Sequence, residues 1–139
     1  MRNFIAINVL IAGLFVPALA LACKCRPPPP PKEALEDSSA VFTAKVTKLT
    51  DVGDHERAVT LEIATTFKGV EKLKEVVVYT ARDGAACGYG FEKGKSYLVY
   101  ARDVKREEEM VLGTSLCSRT KSLADAGDDL KELGAGATP

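Results

Sequence analysis

Four cysteines carry most of the chemistry available to this 139-residue sequence: Cys23, Cys25, Cys87 and Cys117. The first two enclose a single residue, Lys24. As thiolates, a Cys-x-Cys pair could hold a soft metal such as Cu(I). As an even set in a small exported domain, the four read instead as a disulfide framework. A Cys23–Cys25 bridge would close a tight, strained ring. Two connectivities remain: Cys23–Cys87 with Cys25–Cys117, or Cys23–Cys117 with Cys25–Cys87. Both tie the segment around Lys24 to distant chain. Loops of this size are worth about 4–5 kcal/mol each in the chain-entropy account, less in combination.

Other reactive constellations are absent. His55 is the only histidine and sits in a charged turn, Asp54-His55-Glu56. A Ser/His/Asp triad or a histidine metal cluster therefore has no basis. Tryptophan is missing and tyrosines are few, which argues against a stacking platform for sugars or bases. Asp and Glu are scattered, and Glu107-Glu108-Glu109 reads as a solvated hairpin tip. An enzyme is not expected, nor a cofactor of its own.

The first 22 residues read as a signal peptide. Arg2 gives a positive start, Phe4 to Val16 is nearly all apolar, Pro17 breaks that run, and Ala20-Leu21-Ala22 is a cleavage signal. The run is too short for a comfortable membrane span, which needs about 20 residues. Cleavage after Ala22 removes one arginine and no acid, so the zero net charge of the whole chain becomes −1. No basic surplus marks a nucleic-acid partner, and no polybasic segment marks a membrane surface.

Cleavage would also make Cys23 the first residue. Its α-amine titrates near neutral pH, so part of it is a neutral donor. With the carbonyl oxygen of the same residue it can close a five-membered chelate. A catalytic zinc keeps an open position for its water, and a ligand there removes the nucleophile. Such a chelate needs a rigid, exposed N-terminus, which two disulfides would pre-organise.

The elements that must position this edge follow from pattern. Pro27 to Pro31 is an unbroken proline run that favours an extended, stiff ridge. Lys32 to Asp37 fits a short helix anchored by Leu35. Phe42, Ala44 and Val46 alternate with polar residues, as do Val59, Leu61, Ile63 and, after Thr65, Phe67. Asp51 to Asp54 is a turn between them. Val76 to Tyr79 reads as a buried strand, Ala81 to Gly90 as a Gly-rich connection, and Ser96 to Arg102 as a fourth strand. A charged hairpin over Asp103 to Glu109 leads to Met110-Val111-Leu112. Leu123, Ala126, Leu130 and Leu133 share one helical face, with Ser122 as its cap and Gly134 as its stop. Five short strands with a covering helix point to a small barrel or sandwich, with the OB-fold a natural candidate.

Several of these segments together resemble one family. Cys23-Lys24-Cys25 followed by prolines, the strand Ala40 to Lys45, Phe67-Lys68-Gly69, Cys87-Gly88-Tyr89, Tyr97-Leu98-Val99 and Leu116-Cys117-Ser118 occur in the order found in the N-terminal domain of the tissue inhibitors of metalloproteinases. That domain belongs to the netrin-like OB-fold modules. The resemblance covers nearly all of Cys23 to Leu133. It implies a mainly β fold: a five-stranded Greek-key OB-fold barrel with a flanking short helix, a C-terminal helix and bridges Cys23–Cys87 and Cys25–Cys117. It further implies that Cys23 chelates the zinc of a partner metalloproteinase. Lys24 would enter the pocket beside that metal, Cys25, Arg26 and Pro27 would fill the cleft, and Ala85 and Ala86 would form the neighbouring part of the inhibitory ridge.

The sequence departs from that family in three ways. It has no cysteines for the family's third bridge in this domain. No counterpart of the family's C-terminal domain occurs in these residues. Lys24 replaces a small hydroxyl residue, and a long cation there must reach water or an acid, because burying it unpaired is costly. The expected organisation is a signal peptide over 1–22, an inhibitor domain over 23–134 and a flexible tail over 135–139. The expected protein is a secreted, extracellular or periplasmic monomer. The alternative is a netrin-like module that binds another protein without inhibiting a protease, with a lipid anchor at Cys23 as a variant.

Overall fold

The computed structural model describes residues 22–139, so the expected signal peptide lies, but for Ala22, outside the described residues. The chain runs through helix α1 (Pro31–Asp37), strands β1 (Ala40–Val52), β2 (Glu56–Lys68) and β3 (Glu75–Ala81), and a 3-10 turn (Gly84–Ala86). Strands β4 (Ser96–Arg106), β5 (Glu109–Gly113) and the short β6 (Lys121–Ser122) follow. A second 3-10 turn (Leu123–Asp125) and helix α2 (Gly127–Leu133) complete it.

Five of the strands close into a ring. The order β1-β2-β3-β5-β4 returns to β1 through an antiparallel β1–β4 pairing. Only β3 and β5 run parallel, with Val78 opposite Leu112. Closure removes the open edges that would template aggregation. This is the barrel expected, with the helices and both bridges in place; β6 adds a two-residue strand outside the ring, on β4.

β1 makes closure possible by pairing on both sides. Phe42 lies opposite Thr66 of β2 and Val99 of β4. Register shifts along β1–β2 bend the pair, as bulges do at barrel corners. One shift carries a lesson. Thr43 faces Thr65, but Ala44 faces Ile63, so Ala64 is the extra residue. An extra residue reverses the inside–outside alternation beyond it. The simple period of two therefore placed Phe67 in the barrel. Instead Thr66 is buried, and Phe67 packs outside, against the helices.

Two apolar layers result. Phe42, Ala44, Val46, Val59, Leu61, Ile63, Val78, Phe91, Tyr97 and Val99 belong to the interior cluster. Val41, Leu98 and Tyr100 point outwards and are covered by Ala34 of α1 and Ala126 near α2, with Leu130 and Leu133 alongside. β1 and β4 are therefore apolar on both faces.

Other boundaries moved for local reasons. Pro31 begins α1 instead of ending the extended run, since proline suits the first helical position, where no N–H partner is needed. Val76 to Tyr79 is only half buried: Val78 is enclosed, whereas Val77 is exposed. β4 and β5 run through most of the charged hairpin, leaving Glu107 and Glu108 as its turn. The C-terminal helix is broken in two. Leu123 sits in the 3-10 turn, and Ser122 makes no side-chain cap. Gly134 is the stop, at φ 75°. The tail beyond it was expected to be free, but Ala137 exchanges two backbone hydrogen bonds with Thr66, at 2.7 and 2.8 Å.

Candidate inhibitory ridge

Residues 22–30 have no regular secondary structure, yet they are held at both ends. At the front, Cys23 is bridged to Cys87 and Cys25 to Cys117, with Cα–Cα distances of 5.1 and 5.0 Å. These are the pairings the resemblance implied. They close sequence separations of 64 and 92. No cysteine is free. The sulfurs of Cys23, Cys25 and Cys117 lie within 4.8 Å of one another, so the two bridges pack as one sulfur cluster. The sulfurs are bonded to each other, not present as the thiolates that a soft metal would require.

The two receiving loops are themselves braced. Asp83 caps the 3-10 turn, its carboxylate accepting from the Ala86 N–H at 2.9 Å. The turn ends on Cys87 in the left-handed region, φ 62°. Gly88 then passes so close to the carbonyl of Ala81 that a Cβ could not be fitted. Tyr89 N–H donates to the Thr80 hydroxyl at 2.9 Å. Beyond it, the rings of Tyr89, Phe91 and Tyr97 contact one another at centroid distances of 4.7–5.8 Å. The second loop is tied to the first, because Leu116 N–H donates to the Cys87 carbonyl at 2.8 Å.

This scaffold gathers the sequence-predicted residues. Ala85 and Ala86 are exposed and immediately precede the bridge partner of Cys23. Lys24, Cys25, Arg26 and Pro27 are exposed, and Cys23 is half-buried. His55 is exposed in the β1–β2 turn, away from the sulfur bridges in sequence and bonded through its carbonyl to Arg82 N–H.

Sequence reasoning missed what holds the rear of the segment. Arg119 donates through Nη1 to the Pro29 carbonyl at 3.0 Å. Its Nε and Nη2 donate to both oxygens of Asp129 at 2.9 and 2.6 Å. Lys121 and the Tyr100 hydroxyl donate to the same carboxylate, at 2.8 and 3.0 Å. The Asp129 side chain is only 3% exposed. Burial pushes its pKa up, but hydrogen bonds from Arg119, Lys121 and Tyr100 outweigh that and bring it down to about 2. Burial raises the Tyr100 phenol, and its bond to Asp129 raises it further. Immediately downstream, Ala34 N–H donates to the Pro30 carbonyl at 2.9 Å as the first turn of α1 forms. The available signal was Asp129 itself, an acid three residues after Ala126 on the stripe that also holds Leu130 and Leu133.

No protein-family model matches the chain, and no curated protein matches it significantly. Among the described residues no helix is long and apolar enough to cross a membrane. With two disulfides, the fold is compatible with an extracellular or periplasmic setting.

Proposed function

We propose that the mature chain, beginning at Cys23, is a secreted or periplasmic inhibitor of zinc metalloendopeptidases. On this reading it is a netrin-like relative of the tissue inhibitors of metalloproteinases. The observation that carries the proposal is the fixing of Cys23 and Cys25 to braced loops while Lys24, Arg26 and Pro27 stay exposed. A chain end ordinarily frays. Here the first residue of the mature chain is fixed by its own side chain, which leaves its backbone amine and carbonyl as a rigid bidentate donor. Those two atoms take the open position of the partner's zinc and displace the attacking water. The chain contributes no metal of its own.

Lys24 sets the choice of target. A flexible ammonium beside the metal is tolerated where the protease pocket supplies a carboxylate or open water, and is penalised in an apolar pocket. The proposed partner is therefore a metalloproteinase with an acidic or deep, wet pocket next to its zinc.

The test compares the mature protein with a version carrying one extra alanine before Cys23, against a panel of zinc endopeptidases. The extra residue turns the amine into an amide and leaves the fold intact. Inhibition by the first and a loss of at least about a hundredfold in the second is expected, since a direct metal ligand is removed. Equal potency rules out the chelate. No inhibition by either leaves the barrel as a binding module for another protein.

A further inference from the structure

A cavity of about 340 Å³ lies between the proline strap and the outer face of β3, β4 and β5. Pro28, Pro29, Tyr79 and Val104 are among its lining residues, whereas Tyr100, only 2% exposed, adds little surface to it. Its size falls at the small end of ligand pockets, which span about 300–1,000 Å³. The prolines bring no N–H to the lining, and the hydroxyls that line it, on Ser38, Thr80, Thr114, Ser115 and Ser118, are each already hydrogen-bonded within the protein. The Tyr100 hydroxyl is turned to Asp129. Arg106 lies over the Tyr79 ring, 5.0 Å from its centroid.

The charges around this space are unequal in their engagement. Arg119, which lines it, is held by both oxygens of Asp129. Glu56, also lining it, is paired with Arg106. Arg102 is different. Its nearest acid is Asp37 at 3.8 Å, and the two side chains are 66% and 51% exposed. A pair that long and that wet contributes little, so its guanidinium is easily drawn to another anion. One loosely paired cation thus stands at a cavity lined in part by Pro28, Pro29, Tyr79 and Val104.

We propose that this cavity binds a small aromatic monocarboxylate. The ring lies between the prolines and Tyr79, whose flat apolar faces favour aromatic contact. The carboxylate takes Arg102 from Asp37 in the forked geometry that guanidinium offers a planar anion. A single net positive charge among the lining residues suits one carboxylate better than a doubly charged phosphate. The proposal concerns a site distinct from the Cys23 amine and does not rest on the inhibitory reading.

The test titrates the isotope-labelled protein, residues 23–139 with both bridges formed, with 3-phenylpropionate, neutral 3-phenylpropanol and acetate, following amide shifts. The expected result is saturable binding of 3-phenylpropionate at millimolar concentration or below. Shifts should cluster at residues 79–81, 100–104 and 113–119. Arg102→Gln should weaken the acid about tenfold, the effect of losing a charge-assisted hydrogen bond, and leave the alcohol unchanged. Val104→Trp should fill the cavity and remove both. Nuclear Overhauser contacts from the probe's ring to Tyr79 and the Val104 methyls in the unaltered protein give a second readout that needs no variant. Absence of saturable binding, equal affinity for acid and alcohol, binding of acetate as strong as that of the acid, or contacts elsewhere would overturn the proposal.

Discussion

The segment before α1 is held twice, by two kinds of chemistry. Its front, Cys23 to Cys25, is fixed by covalent bridges to two surface loops. Its rear, Pro29 to Pro31, is fixed by a buried ionic hub and by the first turn of a helix. Little in the front is buried: Lys24 and Cys25 remain exposed and Cys23 is half-buried, as a contact surface requires. The rear is the reverse, with a carboxylate almost wholly enclosed and donors from three directions. The difference separates two tasks. Sulfur positions a small exposed edge that cannot bury enough apolar area to hold itself. The hub sets the angle at which the proline strap leaves the barrel. The front should answer to redox conditions and the rear to pH.

The largest expected effect comes from breaking the front. A Cys25→Ser, Cys117→Ser double variant opens the longer loop and should lower unfolding free energy by about 4 kcal/mol, measured by urea denaturation. It should also release Lys24. Trypsin should cut after Lys24 slowly while both bridges hold, and readily in the variant under conditions where the barrel stays folded. A variant that lost stability while Lys24 remained resistant would show that the rear alone orders the segment.

Breaking the rear should cost less and act elsewhere. Asp129→Asn leaves Arg119 and Lys121 without their carboxylate in a largely enclosed setting, with an expected loss of about 3 kcal/mol. Lys24 should stay resistant to trypsin, because both bridges persist. Release of Lys24 in this variant would overturn the division of labour. The Ala34 amide, bonded to the Pro30 carbonyl, should lose hydrogen-exchange protection.

These two fastenings were unequally legible in the sequence. Cysteine positions are read directly, and a resemblance across six short segments carried the pairing. β1 and β2 were legible because Phe42, Ala44, Val46, Val59, Leu61 and Ile63 keep a strict period of two. The fold on either side of a bulge was not. Nothing at Ala64 announces an extra residue, because a bulge is settled by the curvature of the closed ring. Phe67 was therefore read onto the wrong face. Val77 was misplaced for a related reason: a run of valines hides which member faces solvent. The ionic hub joins Arg119, Lys121 and Asp129, within ten residues of one another, to the distant Pro29 and Tyr100. No local pattern brings them together. Only Asp129, an acid on an apolar stripe, hinted that something must meet it. The bridged edge at Cys23 to Cys25 was thus visible before its supports were.

The smallest expected effect sharpens the comparison with a single variable, acidity. Asp129 is brought from its ordinary value of 3.8 to about 2 in the folded protein. A depressed carboxylate contributes stability that is fully present above the unfolded value. That contribution fades as pH falls through the folded value, because the native state resists the proton that the unfolded chain accepts. The window is therefore pH 4 down to 2, and the loss across it should be about 2 kcal/mol. Asp51 and Glu71 are also depressed, Asp51 by its bond from Arg57 and Glu71 by backbone donors including Gly69 N–H. Both are exposed, so their share is screened and small. The bridges carry no titrating group and should be indifferent to the same change. Urea unfolding at pH 5 and pH 2.5, for the unaltered protein and for Asp129→Asn, isolates the hub. The unaltered protein should lose stability between the two, and the variant should lose distinctly less. Equal slopes would mean that acid acts through other carboxylates, and that the rear fastening is held by packing of α1 and α2 instead of by charge.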